Sequence, residues 1–388
     1  MQAKQDELRR RLVALGFDVV RFARIGALPA TALNDWLARG FEADLQWMER
    51  TAMKRTNPEL VLPGGRSVVM LGVNYGAEAG GRPGPAPGPV WARYAVYEDY
   101  HDTMRPALVA AGRALEELYG VAPGDYRYYA DTGPVLERGW ADRAGVGFLG
   151  KNGMLISREF GNWLLLAGIL TRVELAADDP LRPQPARPET EARVGLLCGN
   201  CTRCMSACPT NAIPSPGLVD ARRCISYQTI ENKGFIPREL RAGIGRHLFG
   251  CDVCLEVCPW NRFARASRGL ILAARPGIRD LTLGELLELT PERFAEVFRG
   301  TPVKRLKLSG LLRNACVVAG NIAAGAGGAH ELIAPLRRLA VHAVPMVRAH
   351  AVWAVRRIAG PDAHELLASV WKNETDPAVR AEYDDARE

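Results

Sequence analysis

The run Cys198-x2-Cys201-x2-Cys204-x3-Cys208-Pro209 constrains this chain more than any other feature of it. Thiolates at this spacing gather three sulfurs around one iron–sulfur cube on a tight loop and carry the fourth away to a second cube. A second run, Cys251-x2-Cys254-x3-Cys258-Pro259, supplies the later positions, but Leu248 stands where its first cysteine belongs. Cys224 lies between the runs and provides the missing thiolate. Exchange between the halves gives one cluster held by Cys198, Cys201, Cys204 and Cys258, and another held by Cys208, Cys224, Cys251 and Cys254. A pair of zinc sites is the alternative. Those come as separate CxxC pairs about 12–20 residues apart, a spacing these runs do not follow. The ninth cysteine, Cys316, sits in an Ala/Val-rich helical stretch and is expected to be a small core residue.

A bacterial-type ferredoxin-like module with two [4Fe–4S] clusters accounts for only part of 388 residues, which allow two or three domains. Residues 1–177 alternate helical and strand patterns and form a mixed α/β domain. Glu7 to Leu15 and Ala32 to Met48 are amphipathic, and Ser67 to Val73 reads as a buried strand entered from the turn Pro63-Gly64-Gly65. Met104 to Tyr119 reads as a helix; Tyr126 to Tyr129 and Trp163 to Ile169 read as strands. Gly80 to Pro89 is a Gly/Pro-rich loop, and residues 178–192 form a proline-rich linker. The cysteine module spans 193–265. A helical connector over 266–300 carries capping-type starts at Thr282 and Thr290. Over 301–388, Arg313, Arg348 and Arg380 head similar apolar segments 35 and 32 residues apart, which suggests an all-α array of HEAT-like repeats. The expected fold class is therefore α+β with a helical C-terminal part.

Eight thiols at metal-ligand spacing argue for a reducing compartment. The first residues have no apolar core of signal-peptide length; Arg9 and Arg10 read as a solvated helix face, and no stretch is apolar enough to span a bilayer. The expected location is the cytoplasm, with no membrane association. Neither a Walker loop nor a GxGxxG opening a helix is present, so a nucleotide cofactor is not indicated. The net charge of +7 tolerates or seeks a polyanion.

The string DTGPVLER followed by AxxAGxGFxGKN, here Asp131 to Asn152, together with CGxCTxCxxACPTxAI from Cys198 and CISYxTIExKG from Cys224, resembles the epoxyqueuosine reductases. So does GCDVCLEVCPWN at 250–261, and the likeness runs along essentially the whole chain. The resemblance implies a reductive-dehalogenase-like N-terminal domain that holds cobalamin beside one cluster. It implies a tRNA substrate with epoxyqueuosine at the wobble position of its anticodon, reduced to queuosine in the last step of that nucleoside's biosynthesis. An external low-potential electron donor would feed the clusters, and the enzyme would act as a monomer. Asp131 matches the family's proton donor and cofactor neighbour; without the likeness it reads as a turn residue before Thr132-Gly133-Pro134. Arg55, Tyr94, Asn152 and Leu166 fall near cobalamin-contacting positions, Lys151 is placed to meet a corrin amide or phosphate, and Ser226 is placed at the corrin or RNA. Tyr100 and His101 lie in a polar loop, where a histidine is more often a packing residue than a cobalt ligand. Gln228, Lys233, Lys304, Arg305, Lys307, Arg313 and Arg348 are the candidate tRNA contacts, with Arg337, Arg338, Arg356 and Arg357 further along the array. Another corrinoid reductase, such as a reductive dehalogenase, and a non-catalytic electron carrier are the rival readings.

Overall fold

A computed structural model describes residues 2–76, 88–181, 194–326 and 330–384. Residues 80–87 of the Gly/Pro-rich loop, 182–192 of the linker and the end of the third repeat segment lie outside the described residues. The chain forms two compact units. The first comprises Met1–Arg82, Glu98–Ala221 and Val253–Ala273; the second comprises Pro83–Tyr97, Arg222–Asp252 and Ala274–Glu388.

The first unit is built on a four-stranded antiparallel sheet in the order Val19–Arg24, Ser67–Asn74, Leu164–Thr171, Tyr126–Tyr129. Every residue of Ser67–Asn74 is buried, as its unbroken apolar run demands of a central strand. The helix Tyr100–Tyr119 begins four residues before the apolar pattern does, because Asp99 caps it by accepting the His101 N–H at 3.1 Å. Tyr100, Met104, Ala107, Leu108, Ala111 and Leu115 form its buried stripe, and it ends at the left-handed Gly120. Tyr100 and His101 are therefore in a first helical turn and not in a loop. The amphipathic stretch from Ala32 breaks in two, Thr31–Ala38 and Gln46–Arg50, with Gly40 and Ala43 at positive φ between them. The helix Glu137–Arg143 drives a fully buried Trp140 into a core with Val68, Met70 and Leu170.

The second unit is almost entirely helical, apart from a short parallel pair, Val90–Trp91 with His247–Phe249. Thr282 closes a reciprocal capping box with Glu285. Thr290 caps one way only, because Arg293 occupies the position where a returning carboxylate would sit. The long helices Lys307–Ala326 and Pro345–Ala359 pack together at Gly320, where a Cβ would come within 2.6 Å of the Trp353 ring. Arg313, Arg348 and Arg380 lie inside their helices and do not precede them. Cys316 is completely buried in this core, as expected, and burial pushes its thiol well above its ordinary value.

Candidate active site and cluster sites

Four thiols in the first unit line one small cavity of about 110 Å³: Cys198, Cys201, Cys204 and Cys258. They come from two loops that end in short helical turns, Arg203–Ser206 and Val253–Glu256, which pack on each other. Burial raises the thiols of Cys198 and Cys204, and the neighbouring sulfurs raise them further. Backbone N–H groups and the Lys151 charge oppose that rise, and cluster irons would supply the positive charge that holds the sulfurs as thiolates. Among the described residues no three His, Cys, Asp or Glu side chains are placed to hold a single metal ion. A cubane offers a separate iron to each thiolate and needs them further apart, so the donor set fits it. Of the remaining cysteines, Cys208 and Cys254 belong to the first unit, whereas Cys224 and Cys251 belong to the second. Cys208 Sγ accepts the Ala212 N–H at 3.3 Å.

A relay of three carboxamides steadies the second cysteine loop. Asn152 Nδ2 donates to Asn162 Oδ1 at 2.9 Å and to the Cys254 carbonyl at 3.3 Å. Asn162 Nδ2 donates to Asn261 Oδ1 at 3.1 Å, and Asn261 Nδ2 donates to the Leu255 carbonyl at 2.7 Å. Gly161, at φ 57, leaves room for this, since a Cβ there would lie 2.5 Å from Asn261 Oδ1.

Asp131 follows the strand Tyr126–Tyr129 in the left-handed region, at φ 60. The Glu137 carboxylate holds that turn by accepting the Asp131 N–H at 2.7 Å. The Tyr100 hydroxyl donates to Asp131 Oδ2 at 2.8 Å. His101 Nε2 is buried, and Asp131 Oδ2 lies 3.4 Å away, longer than a good hydrogen bond. His101 Nδ1 meets Asp99 Oδ1 at 2.7 Å, and the imidazole stacks on Tyr100 with ring centres 4.0 Å apart. Burial alone would lower the imidazole; its two carboxylate partners win and raise it to about 9. Glu137 is pushed up to about 7 by burial and by the Asp131 charge. Asp131 itself keeps 55% of its side chain exposed. The group is thus a carboxylate open on one side, with a phenol and a protonated imidazole behind it.

Two family models match the chain. One is described as "Epoxyqueuosine reductase QueG, DUF1730" and covers residues 55–132; the other is a 4Fe-4S double cluster binding domain over 197–261. An epoxyqueuosine reductase of Gloeobacter violaceus is 39% identical over 80% of this chain and 93% of its own length. One of Burkholderia pseudomallei is 36% identical over 91% of this chain and 93% of its own. This chain belongs to the epoxyqueuosine reductase family. It is an oxidoreductase with a double [4Fe–4S] module. Among solved structures, an epoxyqueuosine reductase in complex with an epoxyqueuosine-modified tRNA-Tyr stem loop superposes with a TM-score of 0.83 at 27% identity, covering 97% of this chain and 96% of that one. A Bacillus subtilis epoxyqueuosine reductase, described as having its catalytic aspartate loop swung out of the active site, superposes at 0.81 with 28% identity over 97% and 96% of the chains.

The remaining candidates fold into varied places. Arg55 reaches the Asp131 turn: its Nη1 donates to the Val135 carbonyl at 3.3 Å, and the charges of Glu137 and Asp131 act on it. Lys151 lines the thiol cavity and donates to the Gly199 carbonyl at 2.7 Å; Asn152 lines it too and is buried with its carboxamide in the relay. Leu166 is half-buried in the sheet, opposite Gly72. In the second unit, Tyr94 is half-buried with its ring 6.2 Å from that of Phe249, and Ser226 is half-buried. Two of the expected RNA contacts are corrected. Gln228 is buried, its amide donating to the Arg222 carbonyl and its oxygen accepting from Asn232. Arg313 is wholly buried, donating to the carbonyls of Gln228, Asn232 and Gly234 and to Asn314 Oδ1. The last carbonyls of a short helix have no partner of their own, and Arg313 and Asn314 supply donors to that end of Ile225–Ile230. Burial lowers Arg313 to about 9, which leaves it charged at neutral pH. Arg348 is held by both oxygens of Glu374, at 2.6 and 2.9 Å, and is a structural ion pair. Lys233, Lys304, Arg305 and Lys307 are exposed, Arg305 pairing with Glu231 at 3.0 Å. The reading from sequence missed Tyr100, His101 and Glu137 as the partners of Asp131, and Asp99 as the partner of His101. Glu137 lies within the very string that carries the family likeness.

Proposed function

We propose that this chain reduces the epoxide of epoxyqueuosine in tRNA to the cyclopentene of queuosine, at the wobble position of the anticodon. The observation that carries this is Asp131, open to approach and backed by Tyr100 and His101, within a chain that matches a family member over 91% of its length. Deoxygenation consumes two electrons and two protons and releases the oxygen as water. An external low-potential donor supplies the electrons one at a time through the clusters, one held by Cys198, Cys201, Cys204 and Cys258, the other by Cys208, Cys224, Cys251 and Cys254.

Proton delivery falls to this chain's own residues. At neutral pH the proton of the His101–Asp131 pair rests on the imidazole, which titrates near 9. Asp131 is the member that faces outward, so it takes the proton from His101 and passes it to the oxygen leaving the carbon; a second transfer by the same route, with His101 reprotonated from solvent, completes the water. Tyr100 fixes the inner carboxylate oxygen, and Glu137 fixes the backbone that presents it. A positioned acid of this kind contributes about 10²- to 10⁴-fold. The side chains gathered at Asp131 are acids and bases that handle protons, which leaves the electrons to cobalamin. When bound, it supplies a reduced cobalt centre nucleophilic enough to open an epoxide. Arg55 and Leu166 of the first unit would hold it.

The helices from residue 301 onward act as a HEAT-like platform for tRNA, with Lys233, Lys304, Arg305 and Lys307 supplying exposed cations. No helix among the described residues is long and apolar enough to cross a membrane. A tRNA substrate places the enzyme in the cytoplasm, where it acts as a monomer. The test is anaerobic turnover with cobalamin, a low-potential reductant and epoxyqueuosine-containing tRNA, followed by mass spectrometry of the digested nucleosides. Loss of one oxygen atom from the modified nucleoside, dependent on cobalamin, is expected. An unchanged mass with clusters and cobalamin loaded refutes the proposal.

A further inference from the structure

The second unit contains a pocket of about 460 Å³, within the range of small-ligand sites. Its floor is apolar, formed by Leu306, Val344, Pro345 and Met346, and Phe235 stands at its side with 39% of its surface exposed. Phe235 lies on the buried His350, ring centres 6.3 Å apart and planes within 25° of parallel, which fixes the ring's orientation. Lys233 and Lys307 belong to the lining; the Lys233 ammonium donates to the Ile230 carbonyl at 2.7 Å and has two further protons to give. The nearby carboxylates are already engaged: Glu231 pairs with Arg305 at 3.0 Å, and Asp376 Oδ1 accepts the N–H groups of Ala378 and Val379. Burial lowers Lys233; Glu231 opposes that shift, and the cations Arg305, Arg313 and Lys307 add to it, so an arriving anion would offset the repulsion among these cations.

Lys307 has a second peculiarity. Its backbone sits at φ 63 and ψ 163, a region that belongs almost wholly to glycine. Glycine would adopt that conformation without strain but would bring no ammonium to the pocket. A strained lysine where glycine is the easier residue points to a use for its side chain.

We propose that this pocket seats one unpaired nucleotide of the RNA substrate, its base against Phe235 and the apolar floor, its phosphate at Lys233 and Lys307. This deepens, and rests on, the reading of the chain as an enzyme that acts on tRNA. Unstacked bases are the parts of RNA that proteins read most readily, and aromatic stacking with nearby cations is how single strands are held. The seated nucleotide would anchor the loop while the modified base is presented elsewhere.

The test is fluorescence anisotropy of the holoenzyme with a labelled anticodon stem loop, repeated across a range of salt concentrations. Phe235→Ala is expected to weaken binding about 5- to 150-fold with an unchanged salt slope, as loss of one stacked base does. Lys307→Gly is expected to weaken it too, and to make the slope of log affinity against log salt about 0.7 less negative, the loss of one single-strand phosphate contact. Because glycine relieves the backbone at 307, this variant melts no lower than the wild type, which separates lost contact from lost folding. Wild-type affinity in both variants overturns the proposal and leaves the tRNA reading standing. Failure of the wild-type holoenzyme to bind the stem loop overturns both.

Discussion

Replacing Arg313 with methionine keeps most of the side-chain length and removes only its donors. Two buried bonds, to the carbonyls of Gln228 and Asn232, and a part-buried one to the carbonyl of the exposed Gly234 are then lost, all of 2.8–2.9 Å. Each of the two buried carbonyls costs about 1–3 kcal/mol when stranded, roughly 2–6 kcal/mol together, and the Gly234 carbonyl adds less because water reaches that residue. Part of this is returned, because a cation without a carboxylate partner is no longer buried; its fall from the ordinary 12.5 to about 9 records that burden. The expected net destabilisation is about 3–5 kcal/mol, comparable to breaking a buried ion pair. For a unit of this size, that lowers the melting temperature by roughly 6–20 °C. Scanning calorimetry of the cluster-loaded protein measures it, with iron content determined on the same samples. Because the carbonyls concerned follow Cys224, iron is expected to fall as well. A melting temperature within about 2 °C of wild type would refute the bookkeeping.

Asp131→Asn is expected to keep its iron and lose about 10²- to 10⁴-fold in turnover, and full activity would remove Asp131 from the chemistry. His101 is protonated below about pH 9, so its contribution to stability is complete below its ordinary 6.5 and fades as pH rises through 9. Turnover should fall across the same upper limb in the wild type, and a pH–rate profile of His101→Gln that retains the limb would contradict the assignment. Cys258→Ser should lower iron from about eight to about four per chain, whereas Cys316→Ser should leave iron untouched and cost about 1–3 kcal/mol of stability. Iron analysis paired with chemical denaturation decides both.

The cluster ligands could be read from sequence because their chemistry is local: a few residues of spacing dictate a loop that wraps a cube. The central strand Ser67–Asn74 was equally legible, since only a doubly covered strand tolerates eight buried positions in a row. Asp131 needed the family string, and its partners stayed hidden for a geometric reason. Tyr100 and His101 lie about thirty residues earlier, in a helical turn created by the Asp99 cap, and no periodicity announces that its start faces the end of a distant strand. Arg313 failed differently. A basic residue beside Lys304, Arg305 and Lys307 reads as part of a surface patch, yet helical geometry turns it inward to the carbonyls of another segment. Charge counts along a helix cannot say which charge is spent on the fold.

The carboxamide relay beneath the second cysteine loop also bears on how this protein ages. Only one polarity satisfies it: each amide nitrogen from Asn152 through Asn162 to Asn261 points forward, and each oxygen between them receives. Asn152 precedes Gly153, the pairing in which an unconstrained asparagine most readily loses ammonia through its neighbour's backbone nitrogen. In the folded protein that carboxamide is buried and engaged at both ends, its oxygen taken by the Met154 N–H, and the reaction is held off. Once it occurs, an acceptor replaces a donor and faces Asn162 Oδ1 and the Cys254 carbonyl, so the relay cannot reform. Isoaspartate at position 152 would thus accumulate as a chemical clock, recording the time each molecule has spent with its cluster loop undone.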